Sequence, residues 1–446
     1  MFQRFVRSVA LACALSGVWA RPLAAADPER PMPDYSGREP PPATLGDVLL
    51  WVPRALFFPV YLVTEYVIRV PLGFLISSAE RANVPAWLYD FFTFGPNHEA
   101  GVFPTAYVDF DFYPSVGLYG YWNDAFFKGH DLRLRGDFGG REWLAAAFSE
   151  RYRFASDPYD RIAVEGTLER RPDYAFFGIG PETRQSQLTR YGWDLREARA
   201  LFDERLWRLS ALHLQATLRD VEFRRGRYYH EPRLVDAIDA GALPIPPDFA
   251  NGYGALIGEV GLALDTRRPR PEPASGVRLE ARIQPAARLD RSGGFVRYGA
   301  GLGGFWDIGE THRVVSLSVQ TRFADPIGGA EIPFTELVTL GGTEPMHGLY
   351  PGRLHDRSAF VAGFGYRWPI WIWLDGSLRS ELGNVFGEHL DGFRVERLRW
   401  SGALGVESNG SPDNSFQFLI GAGSETFDSG GKVDSLRVAV GATHGF

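Results

Sequence analysis

From about Val102 to its C-terminus, the chain alternates apolar and polar residues with a period of two, segment after segment. In 277–283 one face carries Val277, Leu279, Ala281 and Ile283, and the other Arg278, Glu280 and Arg282. Val315, Leu317 and Val319 alternate with Ser316, Ser318 and Gln320, and Leu212, Leu214, Ala216 and Leu218 with His213, Gln215, Thr217 and Arg219. Such segments are strands with one face in an apolar medium and one in a polar medium. A soluble β-sandwich would satisfy this, but the end of the chain favours a membrane barrel. Residues 436–446 place Leu436, Val438, Val440 and Ala442 on one face and stop on the aromatic Phe446. A terminal aromatic strand is how bacterial outer-membrane barrels close and are read by the machinery that assembles them, so Phe446 is the expected assembly signal. Closure also removes sheet edges, which lipid cannot hydrogen-bond.

The alternating runs number about sixteen, an even count as single-chain bacterial barrels require. Their centres fall near 108, 119, 133, 147, 165, 197, 213, 259, 281, 300, 317, 362, 379, 403, 419 and 440. Long connections near 172–192, 223–252, 324–356, 387–397 and 424–433 each follow an odd-numbered strand. All therefore lie at one end, as the outer loops of such barrels do. The expected fold is all-β: a transmembrane antiparallel β-barrel over 101–446, located in the outer membrane of a Gram-negative cell.

The N-terminal part is different. Arg4 and Arg7, the apolar run from Val9 to Trp19 and the small residues at 24–26 read as an export signal over 1–26. The single cysteine, Cys13, lies inside it; cleavage just before it would leave too short an apolar core for a lipoprotein signal. Residues 27–100 open with a Pro-rich linker and continue into a stretch broken by Pro53, Pro59 and Pro71. This stretch is too interrupted for a spanning helix and is expected to form short amphipathic helices or an irregular periplasmic strap. The formal net charge of -7 makes no case for nucleic acid.

Catalytic motifs are few. Residues 299–304 match G-x-G-x-x-G, but Phe305, Trp306 and another strand follow where a dinucleotide site needs a helix; glycines at a barrel bend account for it. His355, Asp356 and Ser358 hold hydrolase residue types, yet strand neighbours point to opposite faces. No G-x-S-x-G, H-E-x-x-H or Cys/His metal spacing occurs, so neither an enzyme, a cofactor nor a metal is expected.

One loop stands apart. Residues 340–353 read LGGTEPMHGLYPGR, carrying His347 and Arg353 among glycines. Leu340-Gly341-Gly342 is followed by Met346-His347-Gly348-Leu349, then by Gly365-Tyr366-Arg367-Trp368-Pro369 and by Arg379-Ser380-Glu381-Leu382-Gly383. This run, best over 325–446, resembles the BamA/TamA barrels of the bacterial surface antigen superfamily. The resemblance implies sixteen strands and a sixth outer loop that turns at Gly341 and Gly342 and folds into the lumen. There an arginine of an Arg-Gly-aromatic signature holds a strand carboxylate. Here the signature arginine is His347, the aromatic position is Leu349 and the strand acid is Glu381. The implied anchor thus comprises His347, Gly348, Glu381 and Gly383, with Arg353 or Arg357 able to stand in for the guanidinium. Strand parity places Glu381 with Arg379 and Gly383 on the lumen face.

The periplasmic POTRA domains of that family are not apparent in 27–100. The resemblance implies an outer-membrane barrel that works on outer-membrane lipids, is itself inserted by the barrel assembly machinery, and helps insert or move proteins or lipids; its client is not encoded legibly. The alternatives are a solute pore, to which lumen residues Arg219, Arg278 and Arg282 would suit, a lipid-modifying enzyme, and an adhesive role for the outer loops.

Overall fold

The computed structural model describes residues 84–443, apart from 156, 158, 269–273, 372–373 and 409–414. The export signal, most of the 27–100 segment and Phe446 lie outside the described residues. Contacts divide the chain into a unit of residues 18–92 and a unit holding 93–446. In the former, helix α1 (Val84–Phe92) stacks the exposed rings of Trp87 and Phe91, four residues apart and so on one face.

The second unit is a closed antiparallel barrel of sixteen strands. They are β1 (Ala100–Asp109), β2 (Ser115–Trp122), β3 (His130–Gly140), β4 (Trp143–Arg153), β5 (Arg161–Phe176), β6 (Thr189–Trp207), β7 (Ser210–Arg225) and β8 (Tyr253–Asp265). The second half comprises β9 (Gly276–Arg288), β10 (Gly294–Asp307), β11 (Val314–Ile327), β12 (Ser358–Trp371), β13 (Leu374–Phe386), β14 (Arg399–Ser408), β15 (Ser415–Ser424) and β16 (Val433–Thr443). Every expected strand centre falls inside one of these strands. Each strand pairs with its sequence neighbours, and β16 closes on β1.

Alternation sets the two faces. Leu134, Phe148, Leu168, Leu218, Leu262, Leu279, Leu302 and Leu317 point outward and are exposed, as a lipid-facing band requires. Inside, Glu165, Glu197, Asp203, Glu259 and Glu381 are buried and meet arginines or histidines, because a carboxylate removed from water needs a partner.

The wall is uneven. β5, β6 and β7 have 16, 19 and 16 residues, whereas β1, β14 and β15 have 10 each and β2 only 8. At a rise of ~3.3 Å per residue and a tilt of ~40°, ten residues span ~25 Å of barrel height and nineteen ~48 Å. The short wall flanks the closing seam. There only Ala439↔Asp109, Val440↔Val108 and Gly441↔Tyr107 are in register among the described residues, with one further bond from Phe110 N to Val438 O at 2.9 Å. The neighbouring β1–β2 ladder runs without a break from Ala100↔Trp122 to Tyr107↔Ser115.

Candidate functional site

The connection between β11 and β12, residues 328–357, does not project outward. A short ladder pairs Val338–Leu340 with Leu354–Asp356, and Leu340, Met346, Leu349 and Leu354 are fully buried. At the turn Gly341 has φ 106° and Gly342 φ 74°, a region open to glycine at little cost. A Cβ on Gly341 would lie 2.2 Å from Tyr350 O. The tip then lies against the inner wall of β14 and β15. A Cβ on Gly348 would stand 2.2 Å from Ala422 O and 2.5 Å from Gly402 O, so glycine is demanded here by close approach.

The tip residues meet β13. His347 N donates to Glu381 Oε2 at 2.8 Å, and His347 Nδ1 lies 3.0 Å from both carboxylate oxygens. Gly348 N donates to Ser401 Oγ on β14 at 2.8 Å. Gly383 packs its Cα against β12, where a Cβ would meet Phe360 O at 2.6 Å. Of the expected anchor, the structure therefore brings together His347, Gly348 and Glu381. Arg353 and Arg357 are elsewhere, because His347 already occupies the carboxylate. Buried Arg353 donates to Thr183 Oγ1 and O at 2.9 and 2.8 Å. Arg357 bridges Asp325 and Glu388 at 2.9 and 3.0 Å. Among the described residues, Asp325, Glu388 and His389 form the sole group with metal-ligand spacing, and the Arg357 guanidinium bonds two of the three.

Four further contacts lie beyond the sequence expectations. At the root of the loop, Phe334 is fully buried among the rings of Phe176, Tyr191, Phe223 and Phe249. Beside it, fully buried Glu336 bonds Arg219 at 2.6 Å, Arg297 at 2.7 Å and the Tyr253 hydroxyl at 2.5 Å. Burial pushes this carboxyl up, but the two guanidinium charges outweigh it and hold the group below its ordinary range. Within the short ladder, opposite Thr339, buried His355 is pushed down to about 4 by desolvation alone, so it is neutral.

The last contact is at the seam. Arg437 on β16 is buried and pairs with Asp109 on β1 at 2.9 Å. Its Nη1 also donates to Gly342 O at 2.9 Å and His347 O at 3.2 Å. One guanidinium thus ties the seam to the inward loop. Strand parity puts Arg437 on the lumen face of the last strand, the one signal that could have singled it out.

The lumen arginines suggested for a pore are paired: Arg219 with Glu197 and Glu336, Arg278 with Glu280, and Arg282 with Glu259. His355 packs against Phe176, and Ser358 Oγ donates to backbone carbonyls of Phe386 and Gly387. The two are thus engaged apart from each other, and no nucleophile-base pair forms between them.

A closed sixteen-strand antiparallel barrel, with one outer loop folded into it and held to a wall carboxylate, defines a class of outer-membrane protein. The chain belongs to the Omp85 superfamily, whose domain matches residues 128–409. Among solved structures, it is similar to BamA from Haemophilus ducreyi lacking POTRA domains 1–3, with a TM-score of 0.52 and 13% identity over 77% of this chain and 70% of that one. CdiB from Acinetobacter baumannii aligns over 77% of this chain and 59% of its own, with a TM-score of 0.46 and 9% identity. No curated protein matches.

Proposed function

We propose that this barrel inserts or translocates other proteins or lipids at the outer membrane, working at the β16–β1 seam. The observation that carries this reading is the junction of a wall ~25 Å tall with a ladder of three registered pairs among the described residues. A short wall thins the surrounding bilayer to meet its apolar band. A short ladder separates at the lowest cost in backbone hydrogen bonds. The inward loop keeps the lumen closed to solutes while the seam works.

A disulfide across the seam tests this. In a Cys13→Ser background, Val108→Cys with Val440→Cys joins registered partners. Oxidation is expected to stop delivery of heat-modifiable barrel proteins to the outer membrane, and reduction to restore it. Equal delivery in both states would remove the seam from the mechanism.

A second reading, a solute pore, draws on the lumen wall opposite the seam. Arg282 keeps a side chain 64% exposed there, and the lumen face of β10 is glycine at 299, 301 and 303. A large steady conductance in planar bilayers would favour the pore, and brief flickering openings the plugged barrel.

A further inference from the structure

On the outer face of β7–β9, far from the seam, the regular wall is interrupted. The β8–β9 register pairs Ile283 with Val260 and Ala286 with Ile257, and skips Gln284 and Pro285. Pro285 has no N–H to give to a ladder. Opposite it stands Gly258, and together they floor an open notch of about 370 Å3 edged by Ala216, Leu256 and Ala287. Its lining is predominantly apolar, and the outward-facing Leu218, Leu256, Val260 and Ile283 around it are exposed. At this level of the wall the only solvent is acyl chain.

Directly above, the outward face changes character. On β7 the outward series Leu214, Ala216, Leu218 gives way to Asp220, Glu222 and Arg224. On β6, Ala200 and Ala198 give way to Arg196 and Asp194, and on β5 Leu168 gives way to Arg170. Leu218 pairs with Leu256 and Ala216 with Gly258, so the cavity begins one step below this boundary. Arg196 binds Asp220 at 2.8 Å and Glu222 at 3.2 Å, both through Nη1. Its Nε and Nη2 have no protein partner among the described residues. That pair of donors is the edge a guanidinium offers bidentately to a phosphate. Four residues of strand, ~13 Å, separate the level of Ala216 from that of Asp220.

We propose that this face is a binding site for one phosphate-bearing lipid of the long-loop leaflet. An acyl chain fills the notch at Gly258 and Pro285, and the headgroup phosphate takes the Nε/Nη2 edge of Arg196. Both halves are needed: the notch alone would not select a headgroup, and Arg196 alone would not immobilise a chain. The site lies on the tall wall, away from β16 and β1, and does not depend on what happens at the seam.

The full chain, purified in mild detergent, is equilibrated with an equimolar mixture of phosphatidylglycerol and phosphate-free diacylglycerol of matched saturated chains. Lipid retained through native mass spectrometry is then counted. The expected result is one tightly retained lipid, with phosphatidylglycerol favoured several-fold. Ala216→Trp, which fills the notch from β7, is expected to cut retention at least fivefold. Ala287→Leu fills it from β9 and serves if the first variant loses its heat-modifiable fold. Arg196→Gln is expected to keep the retained lipid but equalise the two lipids. Unchanged retention in a folded notch variant overturns the site, and so does retention by the parent protein without preference for the phosphate-bearing lipid.

Discussion

The two ends of the inward loop are held by opposite chemistries on opposite walls. At the root, the loop supplies the carboxylate, Glu336, and the wall supplies two arginines, a tyrosine and a cage of rings. At the tip, the wall supplies the carboxylate, Glu381, and the loop offers one imidazole and one backbone N–H. Root contacts reach β5 to β8 and β10; tip contacts reach β13, β14, β15 and, through Arg437, β16. The root has redundant partners in a dry aromatic setting, while the tip rests on few bonds. A loop built this way swings from its root and lets go at its tip.

Breaking the root should have the largest effect. Glu336→Ala leaves Arg219 and Arg297 without their shared partner inside the barrel and is expected to cost ~3–5 kcal/mol of loop or barrel stability. It would be read as a lower temperature for the loss of heat-modifiable migration. A cost equal to that at the tip would erase the contrast. Glu381→Ala removes the tip contact alone, at ~1–3 kcal/mol if the site is largely dehydrated. It should leave the melting temperature nearly intact while exposing residues 340–353 to added protease and enlarging channel openings. If both readouts stay at parental values, the tip is not a latch.

Acid should loosen the loop between these limits. His355 titrates near 4 in the fold against ~6.5 when unfolded, so the unfolded form binds the extra proton. Its contribution is therefore complete above ~6.5 and is lost as pH falls toward 4, with roughly 1 kcal/mol gone at pH 5.5. Protease sensitivity of the loop should rise over that window in the parent protein, and His355→Phe should flatten the profile. The smallest effect is expected from His347→Arg, which makes the tip contact fully charge-assisted and adds ~0.5–1 kcal/mol of anchoring. Fewer channel openings would register it; more openings would mean the wall has no room for a guanidinium.

The barrel itself was legible because lipid leaves a strand no choice. Leu212 to Leu218 and Val277 to Ile283 alternate strictly, and every expected centre lies within an observed strand. The loops sorted to one end by parity alone. The contact of His347 with Glu381 was reachable because a resemblance fixed the positions and strand parity fixed the face. Glu336 gave no such handle: it sits in a connection without periodicity, and its partners lie more than a hundred residues upstream and some forty upstream. Arg353 and Arg357, able on sequence to stand in at Glu381, have their partners elsewhere, at Thr183 and at Asp325 and Glu388. Several arginines lie within reach of each acid in a crowded lumen, and which pairs form depends on how the loops pack, not on spacing. The Phe446 signal and residues 27–83 lie outside the described residues, and of the 27–100 segment the fold shows only helix α1 and the residues up to the start of the barrel.

Arg437 makes the seam and the loop thermodynamically reciprocal. The same guanidinium satisfies Asp109 across the seam and two carbonyls of the loop, so neither can leave without weakening the other's hold. Linkage then requires that anything binding preferentially to the parted seam also lowers the free energy of loop release, by an equal amount in each direction. A substrate wedged between β16 and β1 would thereby unlatch the lumen without touching the loop, and a ligand that displaced the loop would loosen the seam.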